Sequence, residues 1–227
     1  MEALIWLRAG GKKPSEGAAM DTMLRFSSDV AFTPVVKAIQ ARKGSRAALA
    51  RHEEAGAWPT AISPDLAAFI AEQRSVFLAT ASAASQPYIQ HRGGPPGFLH
   101  VLDDKTIAFV DFIGNRQYIT QGNLAENPQA YLFLIDYARP RRVKLWGTAR
   151  VSDDPALRAR LMPENYRARA DAAILFTVAA WDTNCPQHIP QRLDAPAVAA
   201  ALEERDRRIA ALEAEVKRLH GEAAPRS

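Results

Sequence analysis

Three short segments in the middle of the chain and one near its end carry residue types suited to chemistry. Gln90-His91-Arg92-Gly93-Gly94-Pro95-Pro96-Gly97-Phe98 sets an imidazole and a guanidinium beside backbone with little side-chain cover. An anionic or heterocyclic ligand could approach such backbone closely while two donors project next to it. A wide bulge with a surface arginine has the same composition. Val110-Asp111-Phe112-Ile113-Gly114-Asn115-Arg116-Gln117-Tyr118 reads as a strand running through a glycine into a helix start. Free amides there, joined by Asn115, Arg116 and Gln117 as side-chain donors, would make a phosphate site; a glycine-capped loop with a solvated arginine is the plainer alternative. In Arg141-Arg142-Val143-Lys144-Leu145-Trp146-Gly147, period-two alternation puts Arg142 and Lys144 on one strand face, either solvated or gathered around an anion. Asn184-Cys185-Pro186-Gln187-His188 is a polar loop on a rigid proline, either facing a substrate or buried around a satisfied imidazole.

The whole-chain composition narrows the classes of function these segments can serve. The 227 residues are 48% hydrophobic and 24% charged, which is ordinary for a globular chain and unlike a disordered or fibrous one. The single cysteine, Cys185, excludes an intramolecular disulfide and a multi-cysteine zinc site, and makes a reducing, cytoplasmic setting the expectation. The formal charge of +4 rests on 29 basic against 25 acidic residues, too weak a field to imply a nucleic-acid partner. Arg139, Arg141, Arg142 and Lys144 form its one concentrated patch. The longest nearly apolar run, Ala172 to Trp181, is about half the roughly 20 residues a membrane-spanning helix needs. Neither a membrane partner nor an export signal is expected; the first twenty residues read as an unstructured extension.

Local patterns then supply the elements that must position the chemistry. Thr33 to His52 reads as one helix, and Ser63-Pro64-Asp65 as an N-cap with proline at the first helical position ahead of Leu66, Phe69 and Ile70. From Ser75 the period becomes two. Strands are expected at Val76–Thr80, Pro87–Arg92, Phe98–Leu102, Thr106–Val110, Ala130–Tyr137 and Arg142–Val151, with a helix from Asn115 to Asn127 and a helical stretch from Asp154 to Arg169. Ala172 to Trp181 could be one more strand. In the tail, Val198, Leu202, Arg205, Ile209, Leu212, Val216 and Leu219 alternate at spacings of 4 and 3, the a/d pattern of a heptad. That helix either packs on its own domain or forms a short coiled coil with a partner subunit.

The motifs H-R-G-G-P-P-G-F, F-x-G-N-R-Q-Y and W-D-x-N-C-P-Q-H-I, in this order, resemble the flavin-binding split-barrel family related to pyridoxamine 5'-phosphate oxidase. The resemblance covers about residues 65 to 155 and, through Trp181 to Ile189, extends to a subgroup of flavin-nucleotide-binding relatives. It implies a mainly β fold with flanking helices, in which a six-stranded antiparallel split barrel forms a homodimer and one FMN lies in each cleft between subunits. The implied domains are an amino-terminal extension and helix (1–60), the FMN-binding barrel (61–192) and a carboxy-terminal amphipathic helix (193–227). By position, Gln90, His91 and Arg92 look like the strand along the flavin, Val110 and Asp111 like its backbone contacts, and Asn115, Arg116 and Gln117 like the triplet that grips the phosphate. Asn and Gln replace the Ser and Lys of that triplet. Arg142 falls where the oxidases place a glutamine from the other subunit, Lys144 points the same way, and Gln187 belongs to the loop over the flavin.

The implied activity is FMN-dependent electron or hydride transfer through flavin N5 to a small molecule. Arg92 or His91 would stabilise the reduced ring, and His91 and His188 are the candidate catalytic residues. Past residue 155 there is no match to the Trp and Arg-x-His pattern with which pyridoxamine phosphate oxidases hold their substrate, so a pyridoxal-type substrate is not implied. The alternative is a non-catalytic flavin-binding or sensing module that acts through its carboxy-terminal helix.

Overall fold

Prolines and capping side chains set where three of the helices begin. In the computed structural model, which describes residues 25–183 and 187–222, helices α1 (Pro34–Arg42), α3 (Pro64–Glu72) and α5 (Pro155–Leu161) each carry proline in the first turn. Their caps Thr33, Ser63 and Asp154 accept from the amides of Val36, Leu66 and Ala156 at 3.3, 3.2 and 2.9 Å, satisfying donors that the helix leaves orphaned. The single helix expected over Thr33–His52 is two, because α1 stops before α2 (Arg46–Glu54). Gly44 adopts φ +81° between them, and the amides of Gly44 and Ser45 bond back to the carbonyls of Ala41 and Gln40. That is a glycine-terminated helix end, which apolar periodicity alone does not reveal. The helical stretch expected up to Arg169 likewise stops at Leu161, ahead of Pro163.

Among the described residues seven strands, one more than the barrel implied by the resemblance, form one mostly antiparallel sheet. They are β1 (Ser75–Ala81), β2 (Pro87–Gly93), β3 (His100–Val101), β4 (Thr106–Phe112), β5 (Gln129–Asp136), β6 (Arg141–Ser152) and β7 (Ala170–Thr183), in the order β2-β1-β5-β6-β7-β4-β3. The apolar run before Trp181 is thus the seventh strand, and Phe98 to Leu102 keeps only two residues of ladder. β1 is antiparallel to both β2 and β5, and β4 to both β3 and β7. Alternation is clean where one face is buried: Val76 and Leu78 of β1 and Leu132 of β5 are fully enclosed, as are Leu66 and Ile70 of α3. In β4, Ile107 through Asp111 are all buried, the pattern of a strand covered on both faces.

Two compact units result. The first comprises the described residues up to Phe133 together with Lys144–Asp182. It includes the amino-terminal helices: buried Glu53 of α2 accepts from Ser28 and Arg46, Phe32 meets Trp58 edge-on, and Trp58 stacks on Trp146 of β6 with centroids 4.7 Å apart. The second contains Leu134–Val143 and the chain from Thr183 onward, including α6 (Ala195–Glu222). Within it, the Arg192 amide donates to the Tyr137 carbonyl at 3.0 Å while the Arg192 guanidinium lies over the Tyr137 ring. No helix among the described residues is long and apolar enough to cross a membrane.

Gly147 of β6 fixes the approach of β7. A Cβ at this position would lie 2.0 Å from the Thr177 carbonyl oxygen and 3.0 Å from the Phe176 ring, and backbone cannot yield as a flexible side chain would. Gly147→Ala is therefore expected to destabilise the fold by about 3 kcal/mol, the upper end for overpacking, seen as a lower midpoint in thermal or urea unfolding.

Candidate functional site

Alternation along β2 sorts the first motif. Tyr88, Gln90 and Arg92 share the half-buried face, whereas Ile89 and His91 project from the other. Gln90 Oε1 accepts from the Tyr88 hydroxyl and from Thr120 Oγ1 of α4 (Ile119–Glu126), each at 3.2 Å. Arg92 donates one terminal nitrogen to Thr120 Oγ1 at 3.3 Å and pairs the other with Asp111 Oδ1 at 2.8 Å. His91 instead bonds Ser75 Oγ at 2.8 Å and meets the ring of Phe77, its cross-strand neighbour. A Cβ on Gly94 would strike Phe98 at 2.6 Å, so this glycine admits Phe98, whereas Gly97 has φ +86° and no atom within 4 Å of a Cβ there; the Gly94 and Gly97 amides bond the carbonyls of Arg74 and Ala71.

The second motif divides in the same manner. Val110 and Asp111 face opposite sides of β4: Val110 enters a core cluster with Ala108, Leu161, Ala173 and Leu175, and Asp111 faces Arg92. An irregularity at Asp111/Phe112 pairs these residues with Ala172 and Ala170 of β7, leaving Asp171 as the extra residue, which is how a bulge re-aims a side chain. Gln121 Nε2 bridges the two carboxylates, at 3.2 Å from Asp111 Oδ2 and 2.8 Å from Asp171 Oδ2.

Asn115, Arg116 and Gln117 do not stand in the first turn of a helix, because α4 begins later, at Ile119. They form the loop ahead of it. Arg116 and Tyr118 have φ of +59° and +54°, values that no α-helix accommodates and that cost a non-glycine residue of order 1 kcal/mol or more each. Asn115 Oδ1 accepts from the Gln117 amide at 3.2 Å. Left-handed residues set among right-handed ones are the backbone pattern of anion-binding nests, although the Gln117 amide is here taken by Asn115. Arg116 is exposed and makes no ion pair among the described residues.

A half-open cleft of about 50 Å³ is lined by these groups, among them Gln90, Arg92, Asp111, Asn115, Arg116 and Gln117. Six of the sequence-derived candidates thus meet at one place. Tyr88, Thr120, Gln121 and Asp171 line it too. Tyr88 follows from Gln90 and Arg92 by period two, whereas a bulge and a helix turn bring in the others and leave no signal in the sequence. Lys144 lies elsewhere in the first unit, paired with Asp182 at 2.7 Å and over the rings of Trp58 and Trp146. Arg142, Gln187 and His188 belong to the second unit; Asn184, Cys185 and Pro186 lie outside the described residues. Among the described residues no cluster of His, Cys, Asp and Glu could hold a metal ion.

The residues present fit a phosphorylated heterocycle. Arg92 Nε is buried with no hydrogen-bond partner among the described residues, a donor whose desolvation an acceptor placed beside it would offset. The strained loop and the exposed Arg116 border the same cleft. Its space is far below the roughly 300–1,000 Å³ of a complete small-molecule pocket.

A family model described as pyridoxamine 5'-phosphate oxidase matches residues 62–191. No curated protein matches the sequence. Among solved structures, HupZ of Group A Streptococcus is 20% identical, with a TM-score of 0.44 over 58% of this chain and 99% of its own. A putative pyridoxamine 5'-phosphate oxidase from Lactobacillus delbrueckii is 18% identical, with a TM-score of 0.41 over 55% of this chain and 95% of its own. A protein described as F420 reductase is 19% identical, with a TM-score of 0.38 over 53% and 98%.

Burial raises the Asp111 carboxyl above its ordinary value of 3.8; the Arg92 charge and the Gln121 hydrogen bond oppose the rise, and the Asp171 charge adds to it. An acid raised in the folded state contributes its stability in full below its unfolded value, and loses it as pH rises through the folded value. A carbon-13 carboxyl titration is expected to show Asp111 with a midpoint above 3.8, which Asp171→Asn lowers and Gln121→Leu raises. With the family model covering more than half of its length, the chain belongs to the pyridoxamine 5'-phosphate oxidase family.

Proposed function

We propose that the protein binds FMN in this cleft and uses it to transfer electrons or a hydride to a small-molecule substrate. The observation that carries the reading is the buried Nε of Arg92, without a partner among the described residues, in the cleft bordered by the strained Asn115–Tyr118 loop. The loop amides and Arg116 would hold the phosphate. Arg92, fixed by Asp111 and Thr120, would offer its remaining N–H to a ring or ribityl oxygen, with Gln90 beside it. The bound flavin would supply the two-electron chemistry; the chain's part is to bind, orient and exclude water. Because the cleft accommodates only a portion of the cofactor, a second copy of the chain would complete the site. Asp111, paired with Arg92, would keep that guanidinium aimed at the cofactor.

The test is a fluorescence titration of the purified chain with FMN, followed by addition of a reduced nicotinamide. Expected are quenching of the flavin and bleaching of its visible band. Arg116→Ala should weaken binding by about 10- to 150-fold, the equivalent of one charge-assisted hydrogen bond of roughly 1.5–3 kcal/mol. FMN that binds but is not reduced by any nicotinamide would favour the non-catalytic module. A chain that takes up no FMN would exclude both readings.

A further inference from the structure

Helix α6 runs from Ala195 to Glu222, 28 residues, or about 42 Å at 1.5 Å per residue. Val198, Leu202, Ile209, Leu212, Val216 and Leu219 are each between 38% and 50% exposed, so among the described residues no element of the second unit covers the heptad. A stripe of this kind on an isolated helix is unfavourable in water and asks for a partner.

The residue types state which partner. With spacings of 4 and 3, Leu202, Ile209 and Val216 occupy a positions, and Val198, Arg205, Leu212 and Leu219 occupy d positions. Over the two carboxy-terminal heptads a is β-branched and d is leucine, the combination that favours two parallel strands over higher oligomers. The flanks agree. In a parallel pair the g residue of one helix faces the e residue of the following heptad on the other, so Arg208 meets Glu213 of the second copy, and the symmetric contact repeats it. In an antiparallel pair e faces e and g faces g, so the opposite-charge contact of Arg208 with Glu215 is offset by the like-charge contact of Asp206 with Glu213, and the a and d residue types favour the parallel pair. The one misfit is Arg205 at a d position. Its guanidinium is turned out of the seam onto Asp206 of the same helix, with Nε at 3.1 Å and a terminal nitrogen at 2.8 Å. A polar seam residue of this type costs stability and fixes register.

We infer that α6 pairs with α6 of a second copy of this chain as a parallel two-stranded coiled coil, in register at Arg205 and with Arg208 facing Glu213 across the flanks. The inference is independent of what the cleft binds.

Cysteine cross-linking of the full-length chain, with Cys185→Ser as background, tests it. Leu219→Cys places a thiol at a d position near the helix end. A parallel, in-register pair brings the two thiols together, whereas an antiparallel pair centred on Ile209 leaves them roughly 30 Å apart. Ala214→Cys, on the outward f position of the same helix, reports non-specific oxidation. Under mild oxidation Leu219→Cys is expected to form a disulfide dimer at least tenfold faster than Ala214→Cys. Arg208→Glu should slow it several-fold, and adding Glu213→Arg should restore it. A Leu219→Cys chain that stays reduced, or cross-links no faster than Ala214→Cys, overturns the parallel pairing and leaves the stripe to an antiparallel copy or another protein. Failure of Glu213→Arg to rescue Arg208→Glu overturns the register.

Discussion

The ion pair between Arg92 and Asp111 is the contact on which the first compact unit turns. β2 ends the strand order, and β4 lies next to its other end, so the backbone ladder does not join them. Side chains do. Arg92 reaches Asp111 at 2.8 Å and Thr120 at 3.3 Å, and Thr120 reaches Gln90. Both partners of the ion pair are largely buried, at 16% and 7% side-chain exposure. Removing one would leave the other charged in a poorly solvated place, a loss of about 3–5 kcal/mol in comparable buried pairs. The two ends of the sheet are thus held by a polar network instead of another row of backbone hydrogen bonds.

That solution has a chemical consequence. A sheet joined by backbone pairing would have its donors satisfied; one joined by side chains leaves some to spare. Arg92 uses its two terminal nitrogens on Asp111 and Thr120, and its Nε is left over and buried. The bulge that aims Asp171 at Gln121 and the strained loop before α4 line the same cleft, with Arg116, which makes no ion pair among the described residues. Two arginines and two aspartates bring the cleft close to neutrality, so binding there depends on directed hydrogen bonds as much as on net charge. Strain at Arg116 and Tyr118 persists because the structure on either side, β4 and α4, over-determines the loop.

Much of this was legible in the residues. Ser63-Pro64 and Asp154-Pro155 announced helix starts because capping is a local interaction, and the strands from Ser75 announced themselves by period two. The motif resemblance named the family. Within the site, however, alternation was decisive where adjacency had been assumed: Gln90 and Arg92 face the cleft while His91 between them faces Ser75, and Asp111 faces it while Val110 enters the core. Of the glycines after Arg92, which read as ligand-binding backbone, Gly94 admits Phe98. Asp171 and Gln121 were out of reach because a one-residue irregularity in β4/β7 pairing and the late start of α4 are set by tertiary packing. The left-handed conformations of Arg116 and Tyr118 have no signature in residue type, since neither is a residue that favours them.

Under the proposed function, the cleft would recognise a phosphate as well as a ring. The most direct measurement is the affinity of the chain for FMN against riboflavin by equilibrium titration at moderate salt, since the two ligands differ only in the phosphate. Tighter binding of FMN by at least tenfold is the expected result, the equivalent of about 1.4 kcal/mol from one charge-assisted contact. Equal affinity for the two, or binding of neither, would contradict the assignment of Arg116 and its loop as the anion site.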